Sequence, residues 1–289
     1  MINAPASPHM FVDGTAVQAA LSAQRYLADT ALATTVYLAE ALEKPLLIEG
    51  PAGTGKTELA LAVAASTGSR LIRLQCHVGI DESRALYEWD YRRQLLAIQA
   101  SQGDSKVESM FTEEFLLSRP LLDAIRATEP VLLLIDEVDQ LDPESEALLL
   151  EFLGSYQVSV PELGTIRASQ IPRVFLTSNG NRDLTEALKR RCLFLHLDYP
   201  TPEREKAIIQ ARIPGIENRL AGRIAETVAT LRAMDLRKRP SVSETLDWAR
   251  TLKLIGAPDV TDALVLEYAN VLLKNKSDLD VLKTELSSA

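Results

Sequence analysis

Residues 50–57 read GPAGTGKT, a glycine-rich turn between an apolar run and a helical pattern. In this context such a turn binds phosphate, because its backbone amides converge at the N-terminus of a helix. Lys56 is expected to reach the β- and γ-phosphates of a nucleotide, and the Thr57 hydroxyl is expected to ligate Mg²⁺. The predicted nucleotide-binding residues of this phosphate loop are Gly50, Pro51, Ala52, Gly53, Thr54, Gly55, Lys56, Thr57 and Glu58.

Five apolar runs predict strands that are buried on both faces, as in a parallel sheet. The predicted strands are Leu46–Gly50, Arg70–Cys76, Val131–Glu137, Arg173–Asn179 and Cys192–Tyr199. The predicted helices between them are Thr57–Thr67, Ser83–Ala100, Arg119–Thr128 and Glu144–Leu153. This alternation predicts an α/β fold with a doubly wound, parallel, five-stranded sheet. Residues 157–168 predict a hairpin inserted before the fourth strand.

The flanking segments complete the predicted organisation. Residues 1–14 lack an apolar period and predict a flexible N-terminal arm, and a helix is expected from about Thr15 to Leu42. Residues 15–200 form the predicted nucleotide-binding domain. Residues 201–289 show no convincing strand and predict an all-α lid domain of four or so amphipathic helices. Helix starts are predicted at Thr201, which precedes a proline, and at Ser241, which forms a capping box with Glu244.

The composition limits the class of protein. The 289 residues carry a formal net charge of −9, which argues against a nucleic-acid partner, because neutralising phosphates requires a surplus of Lys and Arg. No apolar run approaches the roughly 20 residues that span a bilayer, and no signal-peptide pattern is present. A cytoplasmic location without a transmembrane segment is therefore expected. Cys76 and Cys192 are expected to be buried, reduced thiols, with a disulfide or a metal pair as the alternative.

A second motif ends the third predicted strand. The apolar run 131–135 is followed by Asp136 and Glu137, and Asp139 comes two residues later. A strand that delivers acids at its C-terminal end brings them to the edge where open α/β sheets bind ligands. Asp136 is expected to hold Mg²⁺ directly or through water, and Glu137 is expected to polarise the attacking water as general base. The alternative is a strand that ends in a solvated acidic turn.

Two further groups follow along the chain. Asn179 ends the fourth strand and is expected to bridge the γ-phosphate and the attacking water, with a simple turn residue as the alternative. Arg190 and Arg191 precede the fifth strand. One of them is expected to act as an arginine finger on the nucleotide of a neighbouring subunit, and the sequence leaves the choice open. The alternative for this basic run is a solvated helix end.

The ordered segments GPAGTGKT, LLLIDEVD, TSN and EALKRRC resemble the AAA+ ATPases over residues 46–199. The hairpin and the helical C-terminal domain resemble the MoxR branch, and residues 79–96 and 237–248 look like its CoxD group. The resemblance implies an ATP hydrolase that uses Mg²⁺ and forms a homo-oligomeric ring, usually a hexamer. It also implies a von Willebrand factor A-domain partner and a metalloenzyme client that is remodelled or matured. In the CoxD group this client is a molybdenum hydroxylase of the carbon monoxide dehydrogenase type.

The resemblance leaves the lid arginine open. Many AAA+ proteins place an arginine inside a lid helix that touches the nucleotide, whereas here the equivalent helix begins at Ser241 and Arg239 lies just before it. Arg239 is the candidate for this role. The alternatives are Arg237, Lys238, or none of the three in a solvated loop.

Two other functions are compatible with the motifs. One is an ATP-driven nucleic-acid factor, such as a loader or translocase subunit, in which Tyr87, Trp89 and Tyr91 stack on single-stranded bases beside Arg92 and Arg93. The other is a nucleotide-gated scaffold that does not hydrolyse, which the intact lysine and glutamate of the two motifs argue against. The histidines His9, His77 and His196 lack the spacing of metal ligands.

Overall fold

The computed structural model describes residues 10–100 and 111–288. Its contacts divide the chain into two compact units. Unit 1 comprises Met1–Gln24, Ala28–Glu49 and Thr57–His196, and unit 2 comprises Arg25–Leu27, Gly50–Lys56 and Leu197–Ala289. His9 and most of the predicted N-terminal arm lie outside the described residues. The domain division at residue 200 stays a prediction.

The strands of unit 1 lie where the apolar runs predict them, with short additions. They are β1 Leu46–Glu49, β2 Arg70–Gln75, β3 Tyr87–Trp89, β4 Leu116–Ser118, β5 Val131–Asp136, β6 Gln157–Val160, β7 Gly164–Arg167, β8 Arg173–Ser178 and β9 Leu193–His196. Five of them form one parallel sheet in the order β2-β5-β8-β1-β9. This confirms the predicted α/β fold, and the antiparallel β6–β7 pair confirms the predicted hairpin.

The sheet explains why polar residues gather at one edge. β5 is buried along its whole length, as expected for an inner strand covered by helices on both faces. All five strands run in the same direction, so their C-terminal ends share one edge. β1 lies between β8 and β9, so the order of the strands reverses beside it. In open α/β sheets, ligands bind in the crevice that such a reversal leaves at the C-terminal ends of the strands.

Helices between residues 10 and 196 cover this sheet. They are α1 Gly14–Ala23, α2 Thr30–Ala41, α3 Lys56–Thr67, α4 Glu82–Ala85, α5 Tyr91–Ala100, α6 Pro120–Arg126, α7 Pro143–Ser155 and α8 Glu186–Lys189, with 3₁₀ turns at Glu113–Phe115 and Val138–Gln140. The apolar faces of α6 and α7 join the strands in a core that is mostly Leu, Ile, Val and Ala side chains.

The single helix predicted from Thr15 to Leu42 is wrong, because the chain forms α1 and α2 there. Arg25 has a positive φ of 59°, a left-handed conformation that ends a helix. The side chain of Asp29 then accepts the Leu32 N–H at 2.8 Å and starts the second helix. The spacing of apolar residues does not show where a side chain caps a helix, so the pattern alone does not predict the break between α1 and α2.

The helix predicted over Ser83–Ala100 is also wrong. Residues 87–89 form β3, which pairs with β4, and Asp90 accepts the Arg93 N–H at 2.9 Å as α5 begins. Pairing with a segment about 30 residues away outweighs the weak local preference for helix.

Unit 2 contains helices and no strand within Leu197–Ser288. They are α9 Pro202–Arg212, α10 Asn218–Ala233, α11 Val242–Leu254, α12 Asp262–Glu267, α13 Ala269–Leu272 and α14 Lys276–Ser288, which is more than the four or so predicted. Thr201 caps α9 and the Ser241–Glu244 capping box starts α11, so both predicted helix starts are confirmed. The apolar faces of the unit 2 helices surround the fully buried Trp248. No helix in the described ranges is long and apolar enough to cross a membrane.

Candidate active site

The phosphate loop forms the predicted turn before α3. Gly53 and Gly55 adopt positive φ angles of 75° and 98°, which side chains disfavour. A Cβ on Gly53 would lie 2.3 Å from the Cβ of Ser241, and the Gly53 carbonyl accepts the Val242 N–H at 3.1 Å. Glycine is therefore required at position 53 by its conformation and by its contact with the start of α11.

Lys56 is buried and folds back onto the loop. Its Nζ donates to the carbonyl oxygens of Gly50 at 2.7 Å and Pro51 at 2.8 Å. The ammonium group is thus held where a helix N-terminus favours anions, and phosphate oxygens can compete for the same donor. Ala52 is exposed, whereas Thr54 and Glu58 are partly buried.

Thr57 and Asp136 are brought together although 79 residues separate them in the chain. Thr57 Oγ1 lies 3.2 Å from Asp136 Oδ1, and the Asp136 side chain is only 4% exposed. A hydroxyl and a carboxylate are hard oxygen ligands of the kind that Mg²⁺ takes with one or two protein carboxylates. The pair fits the predicted role in metal binding.

Thr177 on β8 fixes the acids from the opposite side. Its hydroxyl donates to Asp136 Oδ1 and accepts the Glu137 N–H at 2.9 Å. Glu137 itself has a φ of 58° and a ψ of 47°, a left-handed conformation that costs a non-glycine residue about 1 kcal/mol or more. Such strain is retained where the surrounding structure requires it, and it turns the Glu137 side chain away from the line of the strand.

Sequence reasoning missed two polar residues on β2. Arg73 forms an ion pair with Asp136 and donates to Gln75 Oε1 at 2.6 Å, and Gln75 Nε2 donates to Glu137 Oε2 at 2.9 Å. Both acids therefore have a partner on the neighbouring edge strand. The signal in the sequence is the alternation Arg73, Leu74, Gln75 within an apolar run, which places two polar side chains on one face.

The third acid of the motif, Asp139, anchors the segment that contains Asn179. Its side chain is buried and accepts the backbone N–H of Asn179 at 3.2 Å and of Asn181 at 3.2 Å. It also accepts Asn181 Nδ2 at 2.8 Å. Asn179 is thus positioned relative to β5 through this carboxylate, a role that the sequence analysis did not assign.

The two candidate finger arginines lie in different surroundings. Arg191 is partly buried, and its Nη1 donates to the Ala187 carbonyl at 2.7 Å. Its Nε also lies against Gly154 of α7. Arg190 is exposed, and none of the side-chain hydrogen bonds and ion pairs of the described residues involves it.

The basic loop before α11 is held by an acid of α14. Asp278 accepts the backbone N–H groups of Arg237 at 2.9 Å and Lys238 at 3.2 Å. Lys238 Nζ pairs with Glu244 at 3.2 Å. Arg239 is exposed, and none of the hydrogen bonds and ion pairs of the described side chains involves it.

A buried ion pair lies beneath this loop. Arg232 of α10 contacts both carboxylate oxygens of Glu205 of α9, at 2.6 and 2.8 Å. Its Nε donates to the Pro240 carbonyl at 2.8 Å, and its guanidinium lies 4.6 Å from the centre of the Tyr199 ring. The sequence analysis missed this pair, because Arg232 ends an ordinary amphipathic pattern.

The cysteines and histidines offer no competing chemistry in the ranges 10–100 and 111–288. Both cysteines are free, as predicted, although Cys192 is only partly buried. Burial raises the pKa of the Cys76 thiol to about 12, helped by the charge of the nearby acids, and burial also raises that of Cys192 to about 12. A protonated thiol is neither a nucleophile nor a metal ligand. Among the residues that the structure describes, no group of three or more His, Cys, Asp or Glu side chains is arranged to hold a metal.

The aromatic cluster is mostly structural. Trp89 is buried, and its ring packs edge-on against Phe111 at 5.2 Å and Tyr87 at 6.3 Å between centroids. Arg93 pairs with Glu114. Only Tyr91 is largely exposed, so the cluster does not offer the row of free rings that base stacking requires.

Comparison with known proteins assigns the family. The model of the AAA domain (dynein-related subfamily) matches residues 45–192, just over half of the chain. The gas vesicle ATPase GvpN of Ancylobacter aquaticus is 30% identical over 223 residues, 73% of this chain and 61% of that protein. An uncharacterized protein of Staphylococcus haemolyticus is 26% identical over 234 residues, 79% of this chain and 82% of that protein.

Among solved structures, a mutant of RuvB from Thermotoga maritima covers 93% of this chain and 74% of its own, with a TM-score of 0.49 and 19% identity. The family match includes the phosphate loop, the acidic strand end and the strand that ends at Asn179, which are the elements assembled above. The chain belongs to the AAA domain family of the dynein-related subfamily, a family of AAA+ ATPases.

Proposed function

We propose that this chain is a Mg²⁺-dependent ATPase of the MoxR branch whose hydrolysis remodels a protein client. The observation that carries the proposal is the corner at the end of β5. There Asp136 is buried against Thr57, and Glu137 is held in a left-handed conformation by Thr177. An acidic turn with no function needs neither the buried carboxylate nor the strained backbone.

The residues divide the work of hydrolysis. The amides of the phosphate loop and Lys56 hold the phosphates, and Thr57 and Asp136 hold the metal. Bound Mg²⁺ neutralises phosphate charge during transfer. Glu137 orients the attacking water and accepts its proton, and Asn179 senses the γ-phosphate. Because Lys56 and Thr57 are consecutive, one nucleotide can engage the loop and the metal ligands together.

We propose Arg190 as the arginine finger. Its side chain is exposed and has no partner among the described residues, whereas Arg191 is engaged with Ala187 of its own chain. A finger supplied to a neighbour requires a head-to-tail interface, which forms a ring when its rotation closes, and the ring is here proposed as a hexamer. Arg239 is proposed as the lid arginine because it is exposed and lies nearest to Ser241 in the sequence, whereas Lys238 pairs with Glu244 and the backbone of Arg237 is bound to Asp278.

The client and partner are proposed from the sequence. Residues 79–96 and 237–248 look like the CoxD group, which supports a molybdenum hydroxylase client and a von Willebrand A-domain partner. The 30% identity to a protein named as a gas vesicle ATPase supports the ATPase activity. A cytoplasmic location stays a prediction.

Glu137→Gln tests the catalytic assignment. The variant should bind ATP with wild-type affinity and hydrolyse it about 10²- to 10⁴-fold more slowly, the usual contribution of a general base. Glu162→Gln, at an exposed position of the β6–β7 turn, is the matched control and should keep full activity in a phosphate-release assay. Hydrolysis by Glu137→Gln at the wild-type rate would contradict the role of Glu137.

Mixing two inactive variants tests the shared site. Lys56→Ala cannot hold its own nucleotide, and Arg190→Ala cannot complete that of its neighbour. Together they form some sites with an intact loop from one subunit and an intact finger from the next, so activity should reappear on mixing. A mixture that stays inactive would show that Arg190 does not act between subunits, and the same mixture with Arg191→Ala tests the other arginine.

A further inference from the structure

Arg73 occupies an unusual position for a surface arginine on an edge strand. It lies on β2 and its side chain is 52% exposed, yet its guanidinium pairs with Asp136, whose side chain is 4% exposed. The same Nη2 donates to Gln75 Oε1 at 2.6 Å. Gln75 Nε2 in turn donates to Glu137, so the arginine is linked to the second acid through Gln75.

The contacts of Asp136 show what this pairing does. Oδ1 accepts from the hydroxyls of Thr57 and Thr177, and Oδ2 accepts from Arg73. Arg73 supplies the positive charge in this arrangement, because the other two donors are neutral. A buried carboxylate without a counter-charge is unfavourable, so the arginine stabilises the acid where a metal would otherwise balance it.

We propose that Arg73 is a positioning residue that takes the place of the metal cation on Asp136 in the nucleotide-free protein and is displaced when Mg²⁺ binds with nucleotide. The inference rests on the proposed function, because it takes Asp136 as a metal ligand. Half of the Arg73 side chain is exposed, so the guanidinium can turn into solvent and remain hydrated. Arg73 therefore competes with Mg²⁺ and sets the metal concentration at which nucleotide binding becomes tight.

The same strand supplies a matched control. Arg70, three residues earlier on β2, pairs with Asp123 at 2.9 Å and Glu129 at 2.6 Å at the surface, and has no contact with the acids of the site. Arg70→Gln removes an equal charge and a comparable exposed ion pair. Arg73→Lys keeps the charge and serves as the conservative variant.

The experiment titrates Mg²⁺ into each variant in the presence of a fluorescent ATP analogue and, separately, without nucleotide. Arg73→Gln should lower the Mg²⁺ midpoint for nucleotide binding about fivefold, which corresponds to about 1 kcal/mol, the upper range of an exposed ion pair. Arg73→Lys and Arg70→Gln should stay within about twofold of wild type. Without metal, Arg73→Gln should melt at a lower temperature than wild type, and saturating Mg²⁺ with nucleotide should remove the difference.

Two results would overturn the proposal. A lower melting temperature at every metal concentration, with an unchanged Mg²⁺ midpoint, would show a structural role only. Weaker nucleotide binding both with Mg²⁺ and in EDTA would show that Arg73 contacts the phosphates instead. If the wild type and Lys56→Ala bind no nucleotide at all, the proposed function fails. The shift in melting temperature with Mg²⁺ alone then still decides whether Arg73 competes with the cation.

Discussion

Arg232→Met is the most informative single change in unit 2. The substitution keeps the length of the apolar stem and removes the guanidinium. It leaves the Glu205 carboxylate, 0% exposed, without its counter-charge, and it leaves the Pro240 carbonyl without the donor now at 2.8 Å. Both hydrogen bonds that the Glu205 carboxylate accepts from described side chains come from Arg232, so the loss is concentrated on one buried group.

The expected cost follows from that burial. Removing one partner of a buried pair costs about 3–5 kcal/mol, and an orphaned carbonyl costs about 1–3 kcal/mol. Both costs arise in the same desolvated region and do not add fully, so Arg232→Met should lower the free energy of unfolding by about 4 kcal/mol in total. A domain has only about 5–15 kcal/mol of stability. In contrast, Arg232→Met combined with Glu205→Leu should lie within about 1–3 kcal/mol of wild type, because two apolar side chains replace the pair and only the Pro240 carbonyl still lacks its donor.

Urea unfolding followed by tryptophan fluorescence measures both variants. The chain has two tryptophans, Trp89 in unit 1 and Trp248 in the core of unit 2. A Trp89→Phe background therefore reports unit 2 alone. A single variant that loses less than about 1 kcal/mol, or a double variant as unstable as the single one, would refute the reasoning that the unpaired carboxylate dominates.

Two other predictions follow from the same unit. Gly53→Ala should weaken nucleotide binding at least about tenfold, because alanine is strained at φ 75° by about 1–2 kcal/mol and its Cβ would lie 2.3 Å from the Cβ of Ser241. Titration of a fluorescent nucleotide measures this. Gly68→Ala is the control, because it carries similar strain at φ 61° but its Cβ faces open space. Asp278→Asn should lower stability at pH 7 by about 1 kcal/mol, measured by the urea midpoint of Trp248. Burial of Asp278 opposes its ionisation, but hydrogen bonds from Arg237, Asn275 and Lys238 outweigh it and hold the pKa below its usual value. This stabilisation is present above the unfolded pKa of about 4 and is lost as pH falls through the lower folded pKa. The difference in free energy of unfolding between the wild type and Asp278→Asn should therefore become smaller toward pH 3. A difference that stays constant with pH would contradict the assignment.

Local patterns in the sequence predict the sheet and the motif residues. The loop 50–57 and the acids after β5 are recognised because their residue types recur at short, fixed spacing next to an apolar run. The five strands follow from apolar runs, and the predicted burial on both faces holds for the inner strands β1, β5 and β8. It is wrong for the edge strands β2 and β9, in which exposed residues interrupt the buried ones, because an edge strand has a neighbour on one side only. The two wrong helices, over 15–42 and 83–100, arise because spacing does not record a side-chain cap at Asp29 or the pairing of β3 with β4.

The missed residues share a different property. Arg73 meets Asp136 across 63 positions, and Arg232 meets Glu205 across 27. Each arginine lies where a solvated charge also fits the local pattern. The acid that pairs with it is determined only when two strands or two helices pack together. No short stretch of sequence therefore shows which acid that is.

The acidic strand end shows how one charge cluster is divided into separate roles. Asp136 is buried and has only hydroxyl and guanidinium partners, an environment that a divalent cation can enter. Glu137 is the next residue, but its backbone is left-handed and its N–H donates to Thr177, which gives its side chain a different direction from that of Asp136. Asp139 accepts hydrogen bonds from the backbone amides of Asn179 and Asn181 and from the Asn181 side chain, so its carboxylate is engaged in holding that segment. The residue types alone do not distinguish the three acids. Their roles differ because their backbone conformations and their hydrogen-bond partners differ. A change at Thr177 should therefore disturb both Asp136 and Glu137, whereas a change at Asp139 should act only through Asn179.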